Sequence, residues 1–393
     1  MRIEDVHALG LRGATPRGGW ARELEPADVV HTLVVVTTDG GVVGYGSVFT
    51  SEDLVRAALA VLRDLLLGES AVEPERVAEK LHRHTFWQGR GGAVTHTVGG
   101  IDIALWDILG KVTGQPVGRL LGGTYRDRVM PYASLLADSV EQVTSQIAEL
   151  REHGFRAFKI GWGALGRKDR RYDEKLVAAA REAADDATVA VDVGASDANW
   201  PHGYKWALAT ARMLADYDVA WLEEPLDPDH ITEYAMLRRA AAVPIAGGEV
   251  LTRRQSFVPF LDAYAWDIVQ PDVTKVGGLS EQRRIGWYAQ ERGVRLIPHG
   301  WNTAVGLASD LQLASALPGT DLVEYKTGSP YIDEIVRSPW TLDADGMLAV
   351  PDRPGLGIAL DPEAVGRYCD VPPALRHVLL RDQTEHNRQE TRA

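Results

Sequence analysis

Six polar residues in the second half of the chain each stand where a short, apolar, β-branched run gives out. They are Asp192 (VAVDV), Glu223 (VAWLEE), Glu249 (VPIAGGE), Asp272 (WDIVQPD), His299 (VRLIPH) and Glu324 (DLVEY). Successive intervals are 31, 26, 23, 27 and 25 residues, the length of one strand–helix–strand step. Amphipathic stretches such as Asp173–Ala184 and Glu281–Arg292 fill the gaps. Consecutive parallel strands bring their C-terminal ends to one mouth, and carboxylates crowded there repel unless a cation lies between them. The pattern predicts an α/β barrel with a divalent metal at its top.

A chain of 393 residues suits a barrel of roughly 250 residues plus a smaller domain. The net charge of −13, with no basic tract, argues against nucleic acid as a partner. It does not argue against a small anionic substrate, since a bound cation reverses the field locally. MRIEDVHALG carries acids where a signal peptide needs an apolar core, and no apolar run approaches a membrane span. Cys369 is the sole cysteine, so no intramolecular disulfide can form and a cytoplasmic location is the expectation.

Residues 1–127 do not alternate strand and helix. Val29–Thr38 and Val42–Phe49 flank Asp39-Gly40-Gly41, a hairpin signal, and helical segments follow. This describes an α+β domain. Alternation holds from Val129 to about Tyr325, giving a barrel domain over 128–338. The Pro-, Gly- and Asp-rich stretch SPWTLDADGMLAVPDRPGLGI opens a segment, 339–393, expected to return to the first domain.

Within the register, Asp192, Glu223 and Glu249 are the expected metal ligands. Carboxylate oxygens suit Mg²⁺, which keeps positions open for water and substrate. Glu224 points away from Glu223 by strand alternation. Asp272 and His299 end the next two strands. A carboxylate accepting an imidazole N–H fixes the tautomer and raises the basicity of the other nitrogen, making His299 a candidate general base. Lys159, closing the strand Phe155–Ile160, is a candidate base or electrophile. Glu324 either hydrogen-bonds the substrate carboxylate, if protonated, or is a structural acid paired with Lys326.

Gly161-Trp162-Gly163-Ala164-Leu165-Gly166 imitates a dinucleotide-binding fingerprint. A Rossmann helix would begin at these glycines, but the charged run RKDRRYDE intervenes, so the stretch reads as a βα loop over the site. Trp162, Trp301 and Asn302 lie beside strand ends and are candidates to line a polyol pocket. Gly18–Glu23, with Trp20 and Arg22, and Thr50–Asp53 are candidate lids.

The segments GGIDIALWDILGK, LLGG, WLEEP, IAGGE, QPDVTKVGG, IPHGWNT and GLGI, in this order, resemble the mandelate racemase-like branch of the enolase superfamily. The resemblance implies a modified (β/α)7β barrel capped by an α+β domain built from both termini. It implies Mg²⁺-assisted removal of a proton α to a carboxylate, giving an enediolate. Asp192, Glu223 and Glu249 look like its metal ligands, Asp272–His299 like its dyad, and Lys159 like the first lysine of its K-x-K motif. Two positions depart from the branch. Gly161 stands where the second lysine would be, and Gly194 where many relatives carry asparagine. A lysine ending the sixth strand, as in muconate-cycloisomerase-like relatives, is replaced by Asp272, with Lys275 beyond it.

The missing lysine leaves one face of the α-carbon served. A dehydratase of an acid sugar, forming a 2-keto-3-deoxy acid, can work with His299 alone. A racemase, epimerase or cycloisomerase using the same enediolate is the alternative, ahead of a nicotinamide-dependent dehydrogenase or a non-catalytic acid-sugar binder. The partner is a small carboxylate, and relatives of this kind commonly form symmetric homo-oligomers.

Overall fold

The Asp39-Gly40-Gly41 turn closes a hairpin because Gly41, at φ +76°, takes a backbone conformation that glycine adopts without strain. The hairpin joins β2 (His31–Thr38) to β3 (Val43–Val48), and β1 (Ile3–Leu11) pairs antiparallel with β2 on its other edge. The computed structural model describes residues 1–13, 30–197, 200–373 and 375–380. Helices α1 (Glu52–Leu66), α2 (Pro74–His84) and α3 (Gly92–Thr113) cover the sheet, enclosing an apolar core that includes Val34, Val36, Leu62, Leu81 and Ile101. α3 lies directly on β3. A Cβ on Gly46 would fall 1.8 Å from the Gly100 carbonyl oxygen, so only glycine permits this approach. A short α4 (Val117–Leu120) ends this part.

Eight strands follow: β4 (Arg128–Leu136), β5 (Ala157–Gly161), β6 (Thr188–Asp192), β7 (Leu222–Glu223), β8 (Ile245–Gly247), β9 (Ile268–Val269), β10 (Arg295–Leu296) and β11 (Leu322–Lys326). They lie in the order β10-β9-β8-β7-β6-β5-β4-β11, with parallel neighbours throughout. The two ends of this path meet. Arg295 pairs with Asp321, and the Gly300 N–H donates to Glu324 Oε2 at 2.8 Å. Helices α5 (Val140–Glu152), α6 (Arg170–Ala184), α7 (Tyr204–Ala215), α8 (Ile231–Ala240), α9 (Arg253–Asp262), α10 (Leu279–Gln290) and α11 (Ala304–Ala316) occupy the crossovers. This is a (β/α)7β barrel.

The barrel interior explains where its polar residues go. Tyr132, Ala157, Ala190, Trp221, Ala246, Ile268, Ile297 and Leu322, one from each strand or its flank, form a closed apolar cluster. Side chains in a strand alternate with period two. Two residues further on stand Ser134, Lys159, Asp192, Glu223, Gly248, Gln270, His299 and Glu324. An apolar plug therefore carries a polar ring, and that ring opens at the C-terminal ends of the strands, where barrel enzymes place their sites.

The first part of the chain is tied across this face. The Ser280 N–H donates to Asp102 Oδ2 at 2.9 Å, Trp106 Nε1 donates to Ser280 Oγ at 3.0 Å, and Thr303 Oγ1 donates to Ser47 Oγ at 2.9 Å. After α12 (Pro330–Asp333), β12 (Leu348–Ala349) pairs antiparallel with the start of β4. The Leu356 N–H then donates to Asp107 Oδ1 in α3 at 2.9 Å. The Arg12 N–H donates to the Tyr368 carbonyl at the end of α13 (Pro362–Tyr368), at 2.8 Å. No helix among the described residues is long and apolar enough to cross a membrane.

Candidate active site

Three carboxylates from adjacent strands converge. Asp192 closes β6, Glu223 closes β7, and Glu249 stands two residues beyond β8. Each offers an oxygen, and these oxygens lie within 4.8 Å of one another. All three side chains are buried. Burial, and then the charge of Glu223, push the Asp192 carboxyl well above its usual range. The cluster is therefore short of positive charge, and a set of carboxylate oxygens fits a hard divalent cation. Glu223 is held from the other side, where Trp221 Nε1 (2.9 Å) and Gln270 Nε2 (2.7 Å) both donate to its Oε2. Asp192 accepts from the Gly194 N–H at 2.9 Å and from Trp162 Nε1 at 3.2 Å.

Glu224 is not one of these three, although it feels the charge of Glu249 and Asp192. Its backbone sits at φ +43°, unusual for a residue with a Cβ, and its carboxylate accepts from Ser196 Oγ at 2.7 Å.

Lys159 lies mid-strand in β5 rather than at its end. Its ammonium donates to Glu223 Oε1 at 2.5 Å and sits 3.1 Å from Glu324 Oε1 and 3.4 Å from Asp192 Oδ2. Burial opposes that charge, but Glu223 and Glu324 overcome it and hold Lys159 well above the usual lysine range. It is an ammonium locked among carboxylates. Glu324 thus pairs with Lys159, not with Lys326, whose Nζ donates to the Thr327 carbonyl. Burial would raise Glu324, yet Lys159 and His299 hold it down at about 2, so it is an ionised acid.

Asp272 and His299 follow β9 and β10 and bridge as a parallel pair. The His299 Nδ1–H donates to Asp272 Oδ2 at 2.7 Å. Nε2 faces the acids, 3.2 Å from Glu249 Oε2 and 3.8 Å from Glu324 Oε2. Burial would lower the imidazole, but Glu249, Glu324 and Asp272 carry it up to about 9. That increase depends most on the charge of Glu249 and falls when that charge is neutralised.

These groups open on a cavity of about 250 Å³. Lys159, Asp192, Glu249, His299 and Glu324 form its polar wall, and Trp162 and Trp301 line it as read from the sequence. Asn302 does not line it. The chain turns at Gly300 into α11, and Asn302 is buried against Gly306 in the first turn of that helix. Trp20 and Arg22, with Gly18–Glu23, lie outside the described residues. Of the other lid segment, Thr50 Oγ1 meets His96 Nδ1 at 2.7 Å, and the neighbouring Phe49 reaches the cavity.

The structure adds residues that the sequence reading passed over. Trp221 and Gln270 stand two residues before Glu223 and Asp272, so strand alternation would have placed them on the same face. Lys275 and Phe49 also line the cavity, and no periodicity marks either.

Both glycine departures have a steric basis. A Cβ on Gly161 would fall 2.2 Å from the Asp192 carbonyl oxygen and 2.7 Å from its Cβ. At Gly194, φ +60°, it would strike the Trp162 ring at 2.4 Å. Neither a lysine nor an alanine fits at 161 without displacing Asp192. Gly161→Ala is therefore expected to weaken divalent-metal binding at least about 10-fold, the cost of disturbing groups that orient a ligand. Calorimetry with Mg²⁺ checks this, and unchanged affinity would show that Asp192 tolerates the shift.

Comparison with known proteins points the same way. Residues 142–364 match the family described as enolase C-terminal domain-like, and residues 26–122 match the mandelate racemase / muconate lactonizing enzyme N-terminal domain. D-galactarolactone cycloisomerase of Agrobacterium fabrum is 34% identical over 358 residues, covering 86% of this chain and 91% of that protein. A D-galactonate dehydratase family member of Streptomyces bingchenggensis is 32% identical over 380 residues, covering 88% and 92%. Among solved structures, a racemase from Streptomyces coelicolor A3(2) with bound magnesium superposes with a TM-score of 0.82 at 28% identity, covering 94% of this chain and all of that one.

Proposed function

Given that the chain belongs to the mandelate racemase / muconate lactonizing enzyme family of the enolase superfamily, we propose that it is a Mg²⁺-dependent dehydratase of an acid sugar. The product is a 2-keto-3-deoxy acid. Relatives of comparable similarity named as D-galactonate dehydratases support the substrate class. The observation that carries the reading is the single-sided site. His299 is one base on one face, Lys159 is bound up by three carboxylates, and Gly161 has no room for a side chain.

Asp192, Glu223 and Glu249 would hold Mg²⁺, which when bound stabilises negative charge on the substrate carboxylate. The Lys159 ammonium adds a fixed donor beside them. Asp272 keeps Nδ1 of His299 protonated, so that Nε2 is the atom presented to the proton at C2. Nε2 takes that proton and returns it to the oxygen leaving C3, which departs as water. Residues 1–127 act with the chain from Leu356 onward as the cap that excludes solvent, whereas Leu348–Ala349, within the stretch expected to return, pair with the start of β4 at the opposite end of the barrel. The hydrogen bonds from Arg12 and Leu356 support that division.

An activity screen of aldonates and aldarates with Mg²⁺, detecting 2-keto acid, tests the reading. Turnover of at least one such acid, lost with a chelator, is expected; no 2-keto acid from any of them would reject it.

The cycloisomerase relative favours a second reading on the same chemistry. If the leaving oxygen is a ring oxygen, elimination opens the ring without releasing water. The single-base site serves both reactions, and an acid-sugar lactone consumed without water release would select the second.

A further inference from the structure

Lys275 lies three residues beyond Asp272, and its buried side chain lines the cavity. It rises from the β9 side of the barrel, diametrically opposite β5 and Lys159 in the strand order. Its Nζ is 3.6 Å from Asp272 Oδ2 and 3.8 Å from Glu249 Oε1, close enough to share their charge but beyond hydrogen-bond distance. The ammonium sits 4.5 Å over the ring of Phe49, the cap residue that reaches the cavity.

Three other donors lining the cavity are engaged. Lys159 donates to Glu223, Trp162 to Asp192, and Ser196 to Glu224. Asp272 and Glu249 offset the charge of the Lys275 ammonium without taking its hydrogen bonds, so its N–H groups keep capacity for an acceptor in the cavity. The direction in which the Lys275 N–H groups can be completed is the cavity.

Resting on the dehydratase reading, we propose that Lys275 is a further catalytic residue, whose ammonium holds the 3-hydroxyl oxygen of the substrate as it leaves. The placement of the dyad selects this oxygen. Asp272, which orients His299, is also the nearest carboxylate to Lys275, so the two cationic groups share one side of the cavity. The substrate carboxylate belongs with Lys159, Asp192 and Glu223 on the β5–β7 side, with Glu249 between the two groups of residues. The C2–H bond breaks with its proton passing to His299 Nε2, and the electron pair forms the enediolate. That pair then expels the C3 oxygen, which takes the proton back from His299 and leaves as water. Lys275 donates a hydrogen bond to this oxygen throughout and ends as it began, an ammonium.

Exchange at C2 and loss of water therefore separate at this residue. In D₂O with Mg²⁺ and the turned-over acid sugar, Lys275→Met is expected to keep C2 hydrogen exchange within about 3-fold of wild type. Its 2-keto acid formation should fall on the order of 100-fold or more, the usual cost of losing one donor to a charge-developing oxygen. Retained exchange is itself the control for an intact site. Lys275→Arg keeps charge and donors and is expected to restore part of the elimination; Lys275→Gln carries the same test should the Met variant not fold. Elimination at the wild-type rate in Lys275→Met would overturn the proposal. So would exchange and elimination falling in equal proportion in both variants, which would place Lys275 on the dyad instead. A wild-type enzyme that exchanges and inverts C2 without losing water would reject the dehydratase reading itself.

Discussion

His299→Asn is expected to lower kcat for 2-keto acid formation by at least about 10³-fold and to abolish exchange of the C2 hydrogen with solvent. General-base catalysis by a positioned imidazole contributes about 10²–10⁴-fold, and neither lysine of the described site is free to replace it. Lys159 is committed to Glu223, Glu324 and Asp192, and Lys275 faces Asp272 and Glu249 as an ammonium. Asparagine keeps a donor for Asp272 Oδ2, so the fold should survive, and a thermal melt alongside the rate measurement checks that it does. A variant that still exchanged C2 hydrogen at the wild-type rate would remove the dyad from the chemistry.

Asp192→Asn is expected to be nearly as damaging for a different reason. It removes one of three carboxylate donors and leaves an amide where the cluster needs negative charge. Affinity for Mg²⁺ should fall by more than the ~10–100-fold that changes in surrounding groups produce, and turnover should fall with it. The metal-free variant should be at least as stable as wild type, because one of the crowded buried carboxylates is gone. Calorimetry gives the first quantity and a melt in chelator the second. Undiminished Mg²⁺ binding would show that the ion is held elsewhere.

The barrel was legible because two periodicities coincide. Period two along each strand sends Asp192, Glu223, His299 and Glu324 to one face, and intervals of 23 to 31 residues repeat that placement from strand to strand. Misses occurred where the chain leaves the strands. Asn302 follows a strand end in sequence, but the turn at Gly300 buries it in the start of α11. Lys275 is separated from Asp272 by a turn whose backbone brings it over the cavity, with the Lys275 N–H donating to the Asp272 carbonyl at 3.1 Å. Spacing alone cannot report such a turn.

Pairing of charges was harder still to read. Lys326 is two residues from Glu324 and so points the same way along the strand, yet β5 lies two strands away from β11 and supplies Lys159 from within the barrel. The choice between those partners depends on barrel closure, which no local sequence pattern encodes. The reason for Gly161 was likewise invisible. Its absent side chain reads as a lost base, while the structure shows it as the space that the backbone of Asp192 occupies.

The most direct test of the one-sided site is a single reaction followed by proton and deuterium NMR. Wild-type enzyme is incubated in D₂O with Mg²⁺ and the acid sugar that it turns over. The account expects a 2-keto-3-deoxy acid carrying one solvent deuterium at C3, formed as the C2–C3 enol ketonises, while unreacted substrate keeps its configuration at C2. Recovery of the C2 epimer, deuterated at C2 and still bearing its 3-hydroxyl, would contradict it, because that product requires a second proton-transfer group on the face where Gly161 stands.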